Sequence, residues 1–304
     1  MINIMIGAVS LGLLWAIMTM GVFLTYRILD MPDMSAEGSI VMGAAIAAKL
    51  ITSGVNPIVA TAVAVAGGMV AGIVTGLLNT KLKIPSLLAG ILTMIALYSI
   101  NIRIMGKANI TLLREKTVFT MVEAIGLKGN VGVMVCGIII NAAIVALLYW
   151  FFGTELGCAI RATGDNRKMA RAQGINTDNM KIFNLALSNG FIALSGALIA
   201  QYQSYADVSM GTGSIVIGLA SVIIGEVLFY HGNFMNRLVS IVLGAVVYRI
   251  IIALVIEMGM NPTDLKLFTA ITVAICLALP MFKGRFNTAK HTAKVTNKAK
   301  EGNE

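Results

Sequence analysis

The feature that most constrains this chain is a succession of long apolar stretches separated by short polar ones. In a bilayer only helices or closed barrels can satisfy every backbone polar group. The stretches run over about 4–26, 38–53, 57–79, 86–104, 131–152, 182–204, 212–230, 237–256 and 264–282. Most are near the roughly 20 residues a spanning helix needs. They predict an all-α polytopic membrane protein with about 8–10 transmembrane segments, eight or nine of them crossings. The 38–53 stretch is short and carries Lys49, so it is either a plain span or a broken or re-entrant helix. Lys49 is expected to snorkel. With 58% hydrophobic and 12% charged residues, the composition lies far from that of soluble domains. Residues 1–26 hold no charge and no basic leader, which predicts a retained first helix rather than a removed signal peptide.

Basic residues beside spans stay on the cytoplasmic side. The tail holds Lys283, Arg285, Lys290, Lys294, Lys298 and Lys300, and the 153–181 loop holds Arg161, Arg167, Lys168, Arg171 and Lys181. Both belong inside. Counting back through nine crossings puts Lys81, Lys83 and Arg27 inside as well, with the N-terminus outside and the C-terminus in the cytoplasm of a multi-pass protein of the cell membrane. The 105–130 loop, with Lys107, Arg114, Lys116 and Lys128, then faces out against the rule, as a segment that contacts something would. The net charge of +9 reads as a basic rim and tail against anionic lipid, not as a nucleic-acid surface. The domain expectation is one transmembrane unit over 1–283, with a basic, unstructured tail over 284–304.

Two distant stretches spell nearly the same phrase. One is Asp33-Met34-Ser35 followed by Gly38-Ser39-Ile40-Val41; the other is Asp207-Val208-Ser209 followed by Gly213-Ser214-Ile215-Val216. The second copy carries one extra residue. Five crossings separate the equivalent spans, so the two halves (about 4–130 and 182–282) have opposite topology, the inverted-repeat plan of many transporters. In each copy the aspartate and serine can cap the helix that the glycine opens. Asp33, Ser35, Gly38 and Ser39, with Asp207, Ser209, Gly213 and Ser214, are therefore candidate pathway-lining breaks, and Glu226 joins them as an acid within a span. Glu226 and Arg249 differ in depth, so no pair between them is expected. Ala64, Gly68, Gly72 and Gly76 instead form a stripe suited to close helix packing.

The loop Gly157–Asn176 contains Arg161-Ala162-Thr163-Gly164-Asp165-Asn166, then Met169-Ala170, then Gly174-Ile175. Asp165 or Asn166 can cap a helix of about two turns, and Gly174 can end it in a left-handed conformation. This order resembles the coupling loop of ABC-importer permeases of the branched-chain amino-acid, ribose and nucleoside group. The likeness extends through Gly211-Thr212-Gly213 and covers about residues 10–280. Some relatives have a further N-terminal span that this sequence lacks. Gly225-Glu226 stands where sugar permeases have Gly-Gly, which turns the reading away from sugars; a finer resemblance is to aromatic amino-acid permeases of Firmicutes.

The resemblance implies a permease subunit that pairs with a second permease copy, identical or not. It also implies cytoplasmic ATPase subunits bound at Arg161, Asp165, Asn166, Met169, Ala170, Gly174 and Ile175, and an extracellular substrate-binding protein. ATP hydrolysis falls to the partners, since the sequence has no Gly-x-x-x-x-Gly-Lys-Ser/Thr loop. No catalytic or metal residues and no cofactor are expected. Cys136, Cys158 and Cys276 lack ligand spacing, and His231 and His291 lie far apart. An ion-coupled secondary transporter with inverted repeats is the alternative, and a channel a third.

Overall fold

In the computed structural model the described residues are 2–124, 126, 129–229, 232–257, 267, 270, 271 and 274. The expected tail, Cys276, both histidines and most of the 264–282 stretch lie outside them. Helices α1 (Ile2–Phe23), α2 (Ala36–Thr52), α3 (Pro57–Thr80), α4 (Ser86–Met105) and α5 (Val118–Ala124) make up the first part. Then come α6 (Asn130–Phe152), α7 (Glu155–Asp165), α8 (Arg167–Ala172), α9 (Thr177–Gln203), α10 (Ser214–Phe229) and α11 (Phe234–Glu257). Two three-residue strands, β1 (Asn109–Thr111) and β2 (Tyr205–Asp207), pair antiparallel. A π-helical turn extends α1 through Ile28, and a 3-10 turn over Val208–Gly211 precedes α10. Seven helices among the described residues are long and apolar enough to cross a membrane. At 17 residues α2 falls just below that length, about 25 Å.

Local chemistry sets the boundaries. The Asn56 side chain accepts the Ile58 N–H ahead of Pro57 at the start of α3, and Gly106 closes α4 in a left-handed conformation. Asn166 caps α8 and Asn176 caps α9, each with a side-chain oxygen on an otherwise unpaired N–H.

Helix α9 is the hub, packing on α1, α2 and α3. Lipid offers apolar helices no hydrophobic gain from association, so small residues and hydrogen bonds must hold them. Along the α1–α9 seam Ser195 donates to the Leu14 carbonyl (2.8 Å), Ser188 to Gly21 (2.7 Å) and Asn184 to Leu24 (2.8 Å). On the α3–α9 seam a Cβ at Gly72 would overlap the Leu185 carbonyl, and one at Gly68 would overlap Ala193. The Ala64/Gly68/Gly72/Gly76 stripe is thus a packing face.

The two ends of the bundle differ. One gathers Arg27, Glu226, Arg237 and Arg161 with Lys83, Arg167, Arg171 and Lys181. The strands occupy the other end, beyond the 27 residues of α9, about 40 Å away. The 105–130 loop is fastened there, Asn109 pairing with Asp207 in the ladder and donating to its carboxylate at 3.2 Å.

Candidate functional site

The repeated phrase builds the same local turn twice. Asp33 Oδ1 accepts the Ser35 N–H at 2.9 Å and the Ser35 hydroxyl, and Asp207 Oδ1 accepts the Ser209 N–H at 2.7 Å and the Ser209 hydroxyl. The surroundings are opposite. Asp33 is buried, its second oxygen taking the Asn189 amide of α9 at 2.9 Å, and Gly90 of α4 lies flush against its turn. Asp207 stands at the strand end, where chiefly the Ser209 hydroxyl holds its carboxyl below the ordinary range.

Each turn leads into a short helix. Helix α2 starts inside the bundle beside the middle of α4 and runs to the strand end, where Ala44, Ala45, Ala48 and Ile51 cluster with Met105 and Ile110. Helix α10, 16 residues long, starts at the same depth and runs the other way, to Glu226 at the basic end. The starts meet. Glu37 in the first turn of α2 accepts the Gly213 N–H at the start of α10 (3.0 Å), and a Cβ at Gly211 would overlap the Glu37 carbonyl. An acidic residue placed between two helix starts answers the positive ends of both.

A cavity of about 370 Å³ opens at this junction. Val41, Met94, Ile95, Tyr98 and Val208 give it apolar walls, and Glu37, Asn101 and Thr212 bring the polar groups. Of the residues expected to line a pathway only Gly38 is on its wall. Gly213 reaches it through Glu37. Ser39 and Ser214 are buried behind it, their hydroxyls without partners. Asp33 and Ser35 are drawn off to Asn189, and Asp207 and Ser209 to the strand end.

Glu226 is not on that wall either. It accepts from Arg27 Nη2 at 2.7 Å and from Arg237 Nη2 at 2.6 Å, which ties the ends of α1 and α10 to the start of α11. Arg249 stacks 4.3 Å over the Trp15 ring, away from Glu226. Reading the sequence missed Glu37, Asn101 and Tyr98. An acid in the first turn of an apolar helix was the available signal for Glu37.

The 157–176 loop holds the end of α7 and then the short helix expected there, α8. Asn166 takes an extended conformation (φ −149°, ψ 96°) and its side chain caps α8 on the Met169 N–H at 3.0 Å. Asp165 therefore ends α7 and does not belong to the second helix, because only Asn166 leaves helical geometry. Gly174 follows α8 with φ +81°. Helix α7 lies hard against the end of α1, where a Cβ at Gly164 would overlap the Ile28 carbonyl. Arg161 donates to the Phe152 carbonyl at 2.6 Å and stacks on Phe234. Ala170 is fully buried while Met169 is 49% exposed, and Arg171 is held by Thr177 and Asp178. The segment thus offers an exposed ridge from Asp165 to Met169, next to the Gly164 contact with the end of α1. Among the described residues no group of three or more His, Cys, Asp or Glu is placed to hold a metal.

Comparison with known proteins places this architecture. Residues 4–279 match the family described as branched-chain amino acid transport system / permease component. The chain is 43% identical over 273 residues to a tyrosine transport system permease protein of Clostridioides difficile (strain R20291), covering 90% of each. It is 31% identical over 280 residues to an uncharacterised protein of Rickettsia prowazekii (strain Madrid E), covering 91% of this chain and 97% of that one. It is 26% identical over 219 residues to the ribose import permease protein RbsC of Escherichia coli (strain K12), covering 71% and 66%. The chain belongs to the branched-chain amino acid transport system permease family.

Proposed function

We propose that this permease carries an aromatic amino acid inward, with tyrosine its first candidate. The observation that carries this reading is the 43% identity, along 90% of both chains, to a tyrosine transport permease. The pathway runs through the cavity where α2 and α10 start, between two inverted halves. The basic end faces the cytoplasm, which the gathering of Arg27, Lys83, Arg161, Arg167, Arg171 and Arg237 supports.

Partner ATPases grip the α7–α8 ridge and hydrolyse the ATP, a second permease copy completes the pathway, and an external binding protein delivers the solute. Because α7 rests on the end of α1, and Arg27 there shares Glu226 with Arg237, a push on the ridge reaches α10 directly. The two short helices then rock about their meeting point, opening one side at a time.

The test is uptake of radiolabelled tyrosine into vesicles holding this permease together with its partner ATPase and binding protein. Uptake that requires ATP and survives ionophores supports the reading; uptake driven by an ion gradient without ATP replaces it with secondary transport.

A further inference from the structure

At the basic end a separate cavity of about 500 Å³ lies where the α3–α4 connection meets α8 and the start of α9. Lys83, Arg167, Arg171 and Lys181 line it, and among the described residues Asp178 is its one carboxylate. Arg171 already holds that carboxylate, at 3.2 Å. Lys83, Arg167 and Lys181 have no ion-pair partner among the described residues. Lys181 is only 8% exposed. Its ammonium has three protons to donate, yet it makes one long hydrogen bond, 3.4 Å to Asn79 Oδ1. Asn79 is itself held, its Nδ2 donating to the Ile84 carbonyl at 2.9 Å, so its oxygen is not free to move closer. A buried cation short of acceptors is costly, and an anion in the cavity relieves it. Helix α4 opens on the same wall at Ser86 without a side-chain cap, which adds its positive end.

The position of the cavity selects the kind of anion. Asn79 is at the end of α3, Ser86 at the start of α4 and Lys181 in the second turn of α9, which is the level where spans leave the bilayer and lipid headgroups lie. Within four residues of Lys83 in the chain, Leu82 and Leu87 are exposed. Cations beside exposed apolar side chains at this level suit an amphiphile with an anionic head. We infer that the cavity holds the phosphate of an anionic phospholipid from the leaflet on the basic side, with its acyl chains along the α3–α4 corner. Lys181 supplies the buried charge, and Lys83 and Arg167 reach the headgroup from different elements. Since Arg167 belongs to the exposed ridge, a bound headgroup ties that ridge to the membrane surface. The site holds whatever solute is carried.

The experiment is native mass spectrometry of the full chain, delipidated in a neutral detergent and titrated with three probes. These are phosphatidylglycerol, phosphatidylcholine (the same phosphate beside a trimethylammonium that a cation-lined cavity repels) and inorganic phosphate. One phosphatidylglycerol should bind severalfold more tightly than phosphatidylcholine. Lys181→Gln, which keeps a donor for Asn79, and Lys83→Gln, in an exposed turn, should each weaken phosphatidylglycerol roughly fivefold, as expected for losing one cation at the headgroup level. Lys107→Gln, which removes one charge at the strand end, should leave that affinity unchanged. Equal affinity for the two lipids, unchanged phosphatidylglycerol affinity in Lys83→Gln or Lys181→Gln, or an equal loss in Lys107→Gln overturns the inference. Inorganic phosphate that displaces the lipid at matching concentration also overturns it, because the acyl chains then contribute nothing and the cavity is a soluble-anion site. Should Lys181→Gln not yield monodisperse protein, Lys83→Gln decides. Loss of ATPase assembly in Lys83→Gln with lipid affinity unchanged gives the cavity to a protein partner instead.

Discussion

Glu37 accepts the Gly213 N–H at 3.0 Å, joining the first turns of two helices that leave the same point for opposite ends of the bundle. The neighbouring Gly38 and Ser214 belong to the two copies of a repeated phrase, so the contact joins the copies themselves. The cavity beside it is walled by α2, by α4 and by the turn that leads into α10, so a shift of any of the three changes its shape.

Neutralising Glu226 should destabilise the basic end. The carboxylate is shared by Arg27 and Arg237, and Glu226→Gln leaves the two guanidinium groups facing each other. A buried pair broken on one side costs about 3–5 kcal/mol; with Arg27 half in solvent, roughly 1–3 kcal/mol is expected. A lowered melting temperature in detergent, partly recovered by adding Arg27→Gln, checks this.

Gly174→Val should uncouple hydrolysis from transport. The left-handed φ of +81° costs an L-residue about 1–2 kcal/mol, and a β-branched one more, so the chain after α8 must re-route and the ridge shifts. With the full complex in vesicles, ATPase activity should persist while uptake per ATP falls severalfold. An unchanged ratio speaks against the ridge as the docking element.

The two Asp-x-Ser turns should carry unequal shares of the stability. Asn189→Leu deprives the buried Asp33 of a donor and should cost about 1–3 kcal/mol, the penalty for an unsatisfied buried group. Asp207→Asn, at the strand end, should have a small effect at neutral pH. The folded-state pKa of Asp207 is depressed, so its contribution is complete above the ordinary carboxyl value and fades as the pH falls through the folded one. The melting difference between Asp207→Asn and the unaltered protein should therefore vanish in acid.

The spans were legible in the sequence because bilayer thickness fixes their length, and the caps at Asn166 and Gly174 because they are local. The repeated phrase likewise announced two turns of one design. Their depths were not legible. Nothing near Asp33 in the chain says that Asn189, 156 residues later, will receive it, and nothing near Asp207 says that Asn109 will hold it at one end. The same holds for Glu226, whose charge marked it as buried and functional but whose two arginine partners lie 199 and 11 residues away. Glu37 stood unnoticed inside the repeated phrase because its partner is a backbone N–H, which leaves no mark in sequence.

The most direct measurement is water access to the cavity. In a background with Cys136, Cys158 and Cys276 changed to Ser, single cysteines at Met94 and Thr212 of the cavity wall and at Ile139, an exposed position of α6, are treated with a membrane-impermeant thiosulfonate reagent. Thiolate forms only where water reaches the sulfur. Met94→Cys and Thr212→Cys should react, at rates that differ between ATP-bound and nucleotide-free complexes and fall with tyrosine, while Ile139→Cys should stay inert. Unreactive cavity cysteines in every state, or reactivity indifferent to nucleotide and tyrosine, would contradict a pathway through the meeting point of α2 and α10.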